Sequence, residues 1–265
     1  QASGNRIERN DLTELQPLVR DNIRLAATVM LLREGVGGDF QVYMVQRPGR
    51  GDFPDLHVFP GGKVDEADYA PDICFGLEDQ VASEVLGVAA GGLRYWVAVA
   101  RECFEECGVL LVRRDGQPVL FEDSTAARFH NYREDLLADK ITFAEICTAE
   151  SLQVDCSRLG YFSHWITPEM APRRFDTRFF VAAMPTDQAT LAHTIETADD
   201  EWEKPAVALA NKDNGLWQMI DPTLRSLETL SQYESVEQAL AKIQQGDHLM
   251  PLTDALSRQG MQPLR

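Results

Sequence analysis

The chain has 265 residues, 44% of them hydrophobic and 25% charged. That profile belongs to a globular protein and excludes both a fibre and a chain that is disordered throughout. Acidic residues number 42 against 25 basic ones, for a formal charge of -17. Such a surface repels duplex nucleic acid and admits an anionic small molecule only where cations or arginines offset the field. The five cysteines (Cys74, Cys103, Cys107, Cys147, Cys156) are odd in number and form no C-x-x-C pair. They read as reduced thiols of a cytosol-like compartment, not as a disulfide frame or a zinc site. No apolar run suits a membrane span, no basic and apolar leader opens the chain, and Gln262-Pro263-Leu264-Arg265 is no organelle address. The expectation is a cytoplasmic protein with neither a nucleic-acid nor a membrane partner; oligomeric state is not legible.

In chain order, Ile23 to Leu32 is apolar and partly β-branched, Gly35, Gly37 and Gly38 punctuate, and Gln41 to Gln46 alternates. This predicts two strands joined by a glycine-rich hairpin. A loop with Pro48, Gly49 and Gly51 leads to a short strand at His57 to Phe59, stopped by Pro60-Gly61-Gly62. Val64 to Gly92 is acidic, then rich in Ala and Gly, with only weak helical pattern. A well-formed helix is predicted over Leu93 to Cys107, with Gly108 as its C-terminal cap, followed by a buried strand at Val109 to Val112. Thr125 to Leu137 and Thr142 to Leu152 read as helices, the second opened by a Thr142/Glu145 capping box. Strands return at Tyr161 to Ile166 and Arg178 to Met184. Pro205 opens a helix ending near Gly215, and Ser235 with Gln238 caps another that stops at Gly246. The order is α+β, one domain with insertions.

The helix at 93–107 carries the chemistry. In Arg101-Glu102-Cys103-Phe104-Glu105-Glu106-Cys107-Gly108, the three glutamates fall within an arc of roughly 100°. Arg101 precedes Glu105 by one turn, and Trp96, Val97, Ala100, Cys103, Phe104 and Cys107 occupy the opposite face. Three carboxylates at close range repel one another unless a cation sits among them. Mg²⁺ or Mn²⁺ suits oxygen ligands and bridges to phosphate. An isolated string of this kind is more often a solvated acidic face. Upstream, however, lies Phe59-Pro60-Gly61-Gly62-Lys63-Val64-Asp65-Glu66-Ala67-Asp68, whose glycines let the backbone approach a ligand closely.

Together the two segments resemble the Nudix hydrolase signature, in which a Gly, five residues and a Glu precede a helix of the form R-E-U-x-E-E-x-G-U, with U apolar. Gly62 takes the glycine position, Arg101 through Val109 match the helical half, and Asp68 replaces the usual glutamate. The spacer from Asp68 to Arg101 holds 32 residues where the signature has seven, an insertion of 25. That insertion, with Trp165-Ile166-Thr167-Pro168-Glu169, Arg173 through Phe180, and the Glu196 to Leu209 stretch, resembles the coenzyme A diphosphatase-like subgroup of nucleoside diphosphate-linked moiety X motif 19. The likeness implies a Nudix α/β/α sandwich with a mixed sheet over residues 22–220, a box insertion at about 69–95 and a helical insertion at about 122–155. Residues 221–265 would form a C-terminal helical extension packed on the same domain.

The resemblance also implies roles. Glu102, Glu105 and Glu106 would hold Mg²⁺ or Mn²⁺, with the Gly61 carbonyl as a further ligand. Arg101 would orient the glutamates, and Glu102 or Glu105 would take the proton of the attacking water. Asp68 would sit at the edge of the site, and Glu196 and Glu201 are later acidic candidates beside Asp199 and Asp200. Gly62, Arg47, Arg50, Arg174 and Arg178 would bind the anionic substrate, since a guanidinium fork suits phosphate. His57 and His164 read as buried and hydrogen-bonded, and the four tryptophans as packing. The substrate would be coenzyme A or acyl-coenzyme A, cleaved to 3',5'-ADP and (acyl-)4'-phosphopantetheine. Alternatives are ADP-ribose, NADH or another nucleoside diphosphate derivative, and a non-catalytic nucleotide-binding module.

Overall fold

A computed structural model describes residues 15–47, 55–119, 123–188 and 199–247. In order, the strands and helices are β1 (Val19–Arg20), β2 (Ile23–Glu34), β3 (Phe40–Gln46), β4 (His57–Val58), β5 (Gly61–Lys63), β6 (Cys74–Phe75), α1 (Asp79–Leu86), α2 (Leu93–Cys107), β7 (Val112–Arg114), β8 (Gln117–Pro118), α3 (Asp123–Leu137) and α4 (Phe143–Ala149). They continue with β9 (Gln153–Asp155), β10 (Leu159–Ile166), β11 (Arg174–Ala183), β12 (Asp199–Glu203), α5 (Pro205–Asp213), α6 (Asp221–Leu230) and α7 (Val236–Gln244).

The main sheet runs β10-β11-β2-β3-β12, with β1 and β5 also paired to β2 and β4 to β3. β11 and β2 are parallel over the register Arg174↔Ile23 to Ala183↔Leu32, and the other pairs are antiparallel, so the sheet is mixed. Strand alternation then builds the layers. From β2, Leu25, Ala27, Val29 and Leu31 enter the core that α2 covers, while Met30 and Leu32 enter a second core under α5, α6 and α7. Helices on both faces make an α/β/α sandwich. A smaller sheet, β6-β9-β7-β8, joins short strands of the inserted segments (β6 and β9) to β7 and β8 beside α2.

Several elements differ from the sequence reading. The stretch 64–92 holds 3-10 turns at Glu66–Asp68 and Pro71–Ile73, then β6 and α1, whose Ile73, Ala82 and Leu86 are buried in the core. Val109, Leu110 and Leu111 are buried but make no strand, which begins only at Val112. β11 starts at Arg174, four residues earlier than predicted, because β2 supplies a parallel partner along its whole length. The helix predicted to Leu152 ends at Ala149, and its capping box is present, with Glu145 N–H donating to Thr142 Oγ1 at 3.2 Å and Thr142 N–H to Glu145 Oε2 at 2.8 Å. All five cysteines are free thiols, and burial pushes the Cys147 thiol up to about 12. No helix among the described residues is long and apolar enough to cross a membrane.

Phe180 of β11 is fully buried, with Trp96 of α2 edge-on at 4.8 Å and Tyr161 of β10 at 5.7 Å. Phe180→Ala removes the ring that joins sheet and helix, and is expected to cost about 3–5 kcal/mol in urea unfolding. A loss below about 1 kcal/mol would show that this layer repacks freely.

Candidate active site

Helix α2 is held at both ends by segments distant in sequence. At its start, Asp79 of α1 accepts from the Gly91 and Leu93 amides, both at 2.9 Å, and Ser83 Oγ accepts from the Gly92 amide at 2.9 Å. A carboxylate there satisfies otherwise unpaired amides and suits the positive end of the helix dipole. At its end, Gly108 adopts φ 70, and its amide reaches the carbonyls of Cys103 and Phe104. Only a residue without a Cβ takes that left-handed turn cheaply. Between these ends the helix is buried all round from Leu93 to Phe104, Arg101 and Glu102 included.

A buried cation must replace its lost water with acceptors. Arg101 does so on four sides. Its Nε and NH2 take the two oxygens of Asp68 at 2.8 and 2.9 Å, and NH2 also reaches the Lys63 carbonyl at 2.7 Å. NH1 donates to Glu102 Oε1 at 2.8 Å and to Glu105 Oε2 at 3.1 Å. Burial disfavours the Arg101 cation, but its bonds to Asp68 and the charges of Glu102, Asp68 and Glu105 outweigh that and hold it above its ordinary range. Burial pushes the Glu102 carboxyl well above the usual carboxylate range; Arg101 opposes this, while Glu106 and Glu105 add to it.

The carboxylates meet the opposite face of the sheet through a gap. β2 pairs with β3 only at Leu32 to Glu34; farther along, β5 lies against Ala26 to Thr28 and β4 against Val45 and Gln46. The glycines of β5 leave the passage open. A Cβ on Gly62 would stand 2.5 Å from Glu102 Oε1, and one on Gly61 would strike the Ala27 carbonyl. The Gly61 amide donates to Glu106 Oε2 at 2.9 Å. Beyond them lies a cavity of about 1200 Å³ that Glu102, Glu105, Glu106, Gly61, Gly62, Lys63 and Asp65 enter from one side. Arg47 stands on its wall with an apolar set that includes Trp165, Ile166, Phe175, Phe179, Met219 and Ile220.

The donor set fits a hard divalent cation in kind: three glutamate carboxylates of one helix face one cavity, beside a glycine pair that leaves no side chain in the way. In the conformation described, each carboxylate has a protein donor, and among the described residues no three His, Cys, Asp or Glu side chains converge as metal ligands do.

The remaining candidates separate. Arg47 and Gly62 line the cavity, whereas Arg174 and Arg178 are not among its lining residues. In β11 the odd-numbered Phe175, Thr177 and Phe179 face the cavity, so the strand period turns Arg174 and Arg178 away. Arg178 NH1 bonds the Leu86 carbonyl at 2.9 Å and the Tyr161 hydroxyl at 3.2 Å, with Asp176 beside it, and Arg174 Nε bonds the Thr167 carbonyl at 3.1 Å. Asp68 is 1% exposed behind Arg101, not at the edge of the site. Glu201 lies in β12 opposite Met44 and outside the cavity lining. Arg50 and Glu196 lie outside the described residues. His57 and His164 are buried, His57 stacked on Trp217 at 4.2 Å and His164 Nε2 2.6 Å from Asp176. Sequence reading passed over Lys63, a second cation at the cavity, and Asp65, whose Oδ2 is 3.7 Å from Arg101. It also passed over Arg133 of α3, which has no local motif to mark it.

Comparison with known proteins follows the same lines. The family model described as the NUDT19 Nudix domain matches residues 89–228. The acyl-coenzyme A diphosphatase NUDT19 of Xenopus laevis is 25% identical over 215 residues, covering 68% of this chain and 57% of that protein. Its Homo sapiens counterpart is 26% identical over 206 residues, covering 64% and 54%. The chain thus spans little more than half the length of these relatives. Among solved structures, a NUDIX hydrolase from Alicyclobacillus acidocaldarius superposes with a TM-score of 0.65 at 25% identity, covering 83% of this chain and 96% of the other.

Removing Asp68 leaves Arg101 buried and short of its bidentate partner. Asp68→Ala is expected to cost about 3 kcal/mol in urea unfolding, the scale for breaking a buried pair from one side. A cost under about 1 kcal/mol would mean that Glu102, Glu105 and the Lys63 carbonyl suffice for the cation.

Proposed function

As this chain belongs to the Nudix family that the NUDT19 Nudix domain model describes, we propose that it is a divalent-metal-dependent diphosphatase of coenzyme A or acyl-coenzyme A. The products would be 3',5'-ADP and 4'-phosphopantetheine or its acyl form. The observation that carries this reading is the entry of Glu102, Glu105 and Glu106 into one cavity through the glycine gap of β5, opposite an apolar wall. We assign the hydrolase domain to residues 22–220; the extension that follows completes the cavity through Asp221, Pro222 and Thr223.

Glu102, Glu105 and Glu106 would hold Mg²⁺ or Mn²⁺, with the Gly61 carbonyl as an added ligand. When bound, the metal neutralises phosphate oxygens and lowers the pKa of the attacking water. Of the two glutamates paired with Arg101, Glu105 has the more exposed side chain, 15% against 9%, which favours it as acceptor of the water's proton. Arg101 keeps the carboxylates oriented, and its bonds to Asp68 and Lys63 keep it still. Arg47 and Lys63 supply positive charge for the phosphates. Trp165, Ile166, Phe175 and Met219 offer an apolar surface to the pantetheine limb or its acyl group.

With Mn²⁺ and a panel of coenzyme A, acyl-coenzyme A, ADP-ribose, NADH and nucleoside triphosphates, the expected products are 3',5'-ADP and a 4'-phosphopantetheine, and EDTA abolishes their release. Turnover of the other compounds but not of coenzyme A would replace the substrate; binding without any turnover would leave a nucleotide-binding module. Glu105→Gln is expected to slow the reaction about a hundredfold or more, the scale of a lost electrostatic or metal-based contribution. An unchanged rate would remove the helix from the mechanism.

A further inference from the structure

The C-terminal end of α2 carries Glu105 and Glu106, and the backbone there needs outside partners because its last carbonyls have no amide ahead of them in the helix. Gly108 serves the carbonyls of Cys103 and Phe104. The next two are taken by a single side chain from the helical insertion: Arg133 of α3 donates through Nε to the Glu105 carbonyl at 2.9 Å and through NH2 to the Glu106 carbonyl at 3.0 Å. Arg133 is 6% exposed, so water does not compete for these bonds. A guanidinium also suits the negative end of a helix dipole. Its planar fork fixes two successive peptide units at once, which a single-point donor does not.

We infer that Arg133 is a positioning residue for the metal-binding end of α2, fixing the backbone from which Glu105 and Glu106 reach into the cavity. The inference rests on the functional reading above only in taking those glutamates as metal ligands. It gives the helical insertion a task at the site, although none of the described side chains of α3 lines the cavity. Two physical effects of Arg133 have opposite signs and are separable. Its positive charge, by itself, repels a divalent cation from nearby carboxylates, so loss of the charge alone tightens metal binding. Its bonds set the ligand geometry, and loss of the bonds weakens it.

The test compares the full chain with Arg133→Met and Arg133→Lys, measuring Mn²⁺ binding without substrate by the electron paramagnetic resonance signal of free Mn²⁺. Folding is checked by far-ultraviolet circular dichroism. Arg133→Met is expected to bind Mn²⁺ about tenfold more weakly, the scale for an outer partner of a metal ligand, and Arg133→Lys, with charge kept and one bond fewer, is expected to fall between it and the parent. In turnover, the Mn²⁺ concentration for half-maximal rate shifts by the same factor while KM for the organic substrate stays within about twofold. Unchanged or tighter Mn²⁺ binding by a folded Arg133→Met overturns the inference. If Arg133→Met does not fold, Arg133→Lys decides: a several-fold loss supports it, parent-like affinity overturns it. A parent chain that binds Mn²⁺ yet hydrolyses nothing refutes the functional reading and leaves this comparison standing; one that binds no Mn²⁺ refutes both.

Discussion

Arg101 is 6% exposed, and at such depth a cation persists only where neighbours return the acceptors and negative charge that water supplied. Five oxygens do so, from Asp68, the Lys63 carbonyl, Glu102 and Glu105. They come from three parts of the signature. Asp68 belongs to the 3-10 turn after the glycine strand, Lys63 to that strand, and the glutamates to the helix. Their meeting at one guanidinium fixes how far the strand lies from the helix, and hence how far the carboxylates project past Gly61 and Gly62. The order of strength is set by burial. Asp68, at 1% exposure and with both oxygens engaged, anchors the arginine, while the Glu105 side chain keeps more solvent access than that of Glu102.

The gap between β2 and β3 answers a geometric problem. A helix on one face of a sheet cannot present side chains to a cleft on the other unless the sheet opens. Here β2 and β3 part after Leu32, and β4 and β5 fill the space with strands of two and three residues. Side chains in β5 would close the opening again, and Gly62 does not, since any Cβ there would collide with the Glu102 carboxylate. The glycines therefore serve as a window between the faces more than as a turn. That explains how an amphipathic helix is buried on every side and yet supplies a polar site.

What the sequence disclosed depended on whether a signal was local. Helix α2 announces itself through its apolar stripe and Gly108, and α4 and α7 through Thr142 and Ser235, whose side chains accept from Glu145 and Gln238. The hairpin shows as the apolar run of β2, the glycines after it and the alternation of β3. β12 does not: Asp199-Asp200-Glu201-Trp202-Glu203 reads as an acidic loop, and becomes a strand because β3 offers an edge and Trp202 packs on Tyr43 at 5.3 Å. β5 reads as a turn for the same reason, its strand character lent by β2. The arginines show the converse error. Arg174 and Arg178 cluster in sequence around a cavity-lining strand, but the two-residue period places them on its other side, while Lys63 lies unremarked within the motif. Arg133 is marked by nothing at all in its own neighbourhood, because the groups it serves are carbonyls 27 and 28 residues away.

The insertion within the signature is a matter of chain entropy and of what the inserted residues do in return. Lengthening a flexible connection from seven residues to 32 costs about 1.3 kcal/mol in loop closure, a modest sum beside one buried ion pair. The connection is not left flexible. Ile73, Ala82 and Leu86 are buried against the same core as α2, and Asp79 and Ser83 cap the first amides of the helix on which the insertion ends. Gly92 permits this closeness, since a Cβ there would collide with the Ser83 amide. An acid from one inserted segment thus holds the positive end of α2, and an arginine from the other holds its negative end. Extra length at two places in the chain has become a two-point clamp on the helix whose glutamates face the cleft, which is why the signature can be divided and its geometry kept.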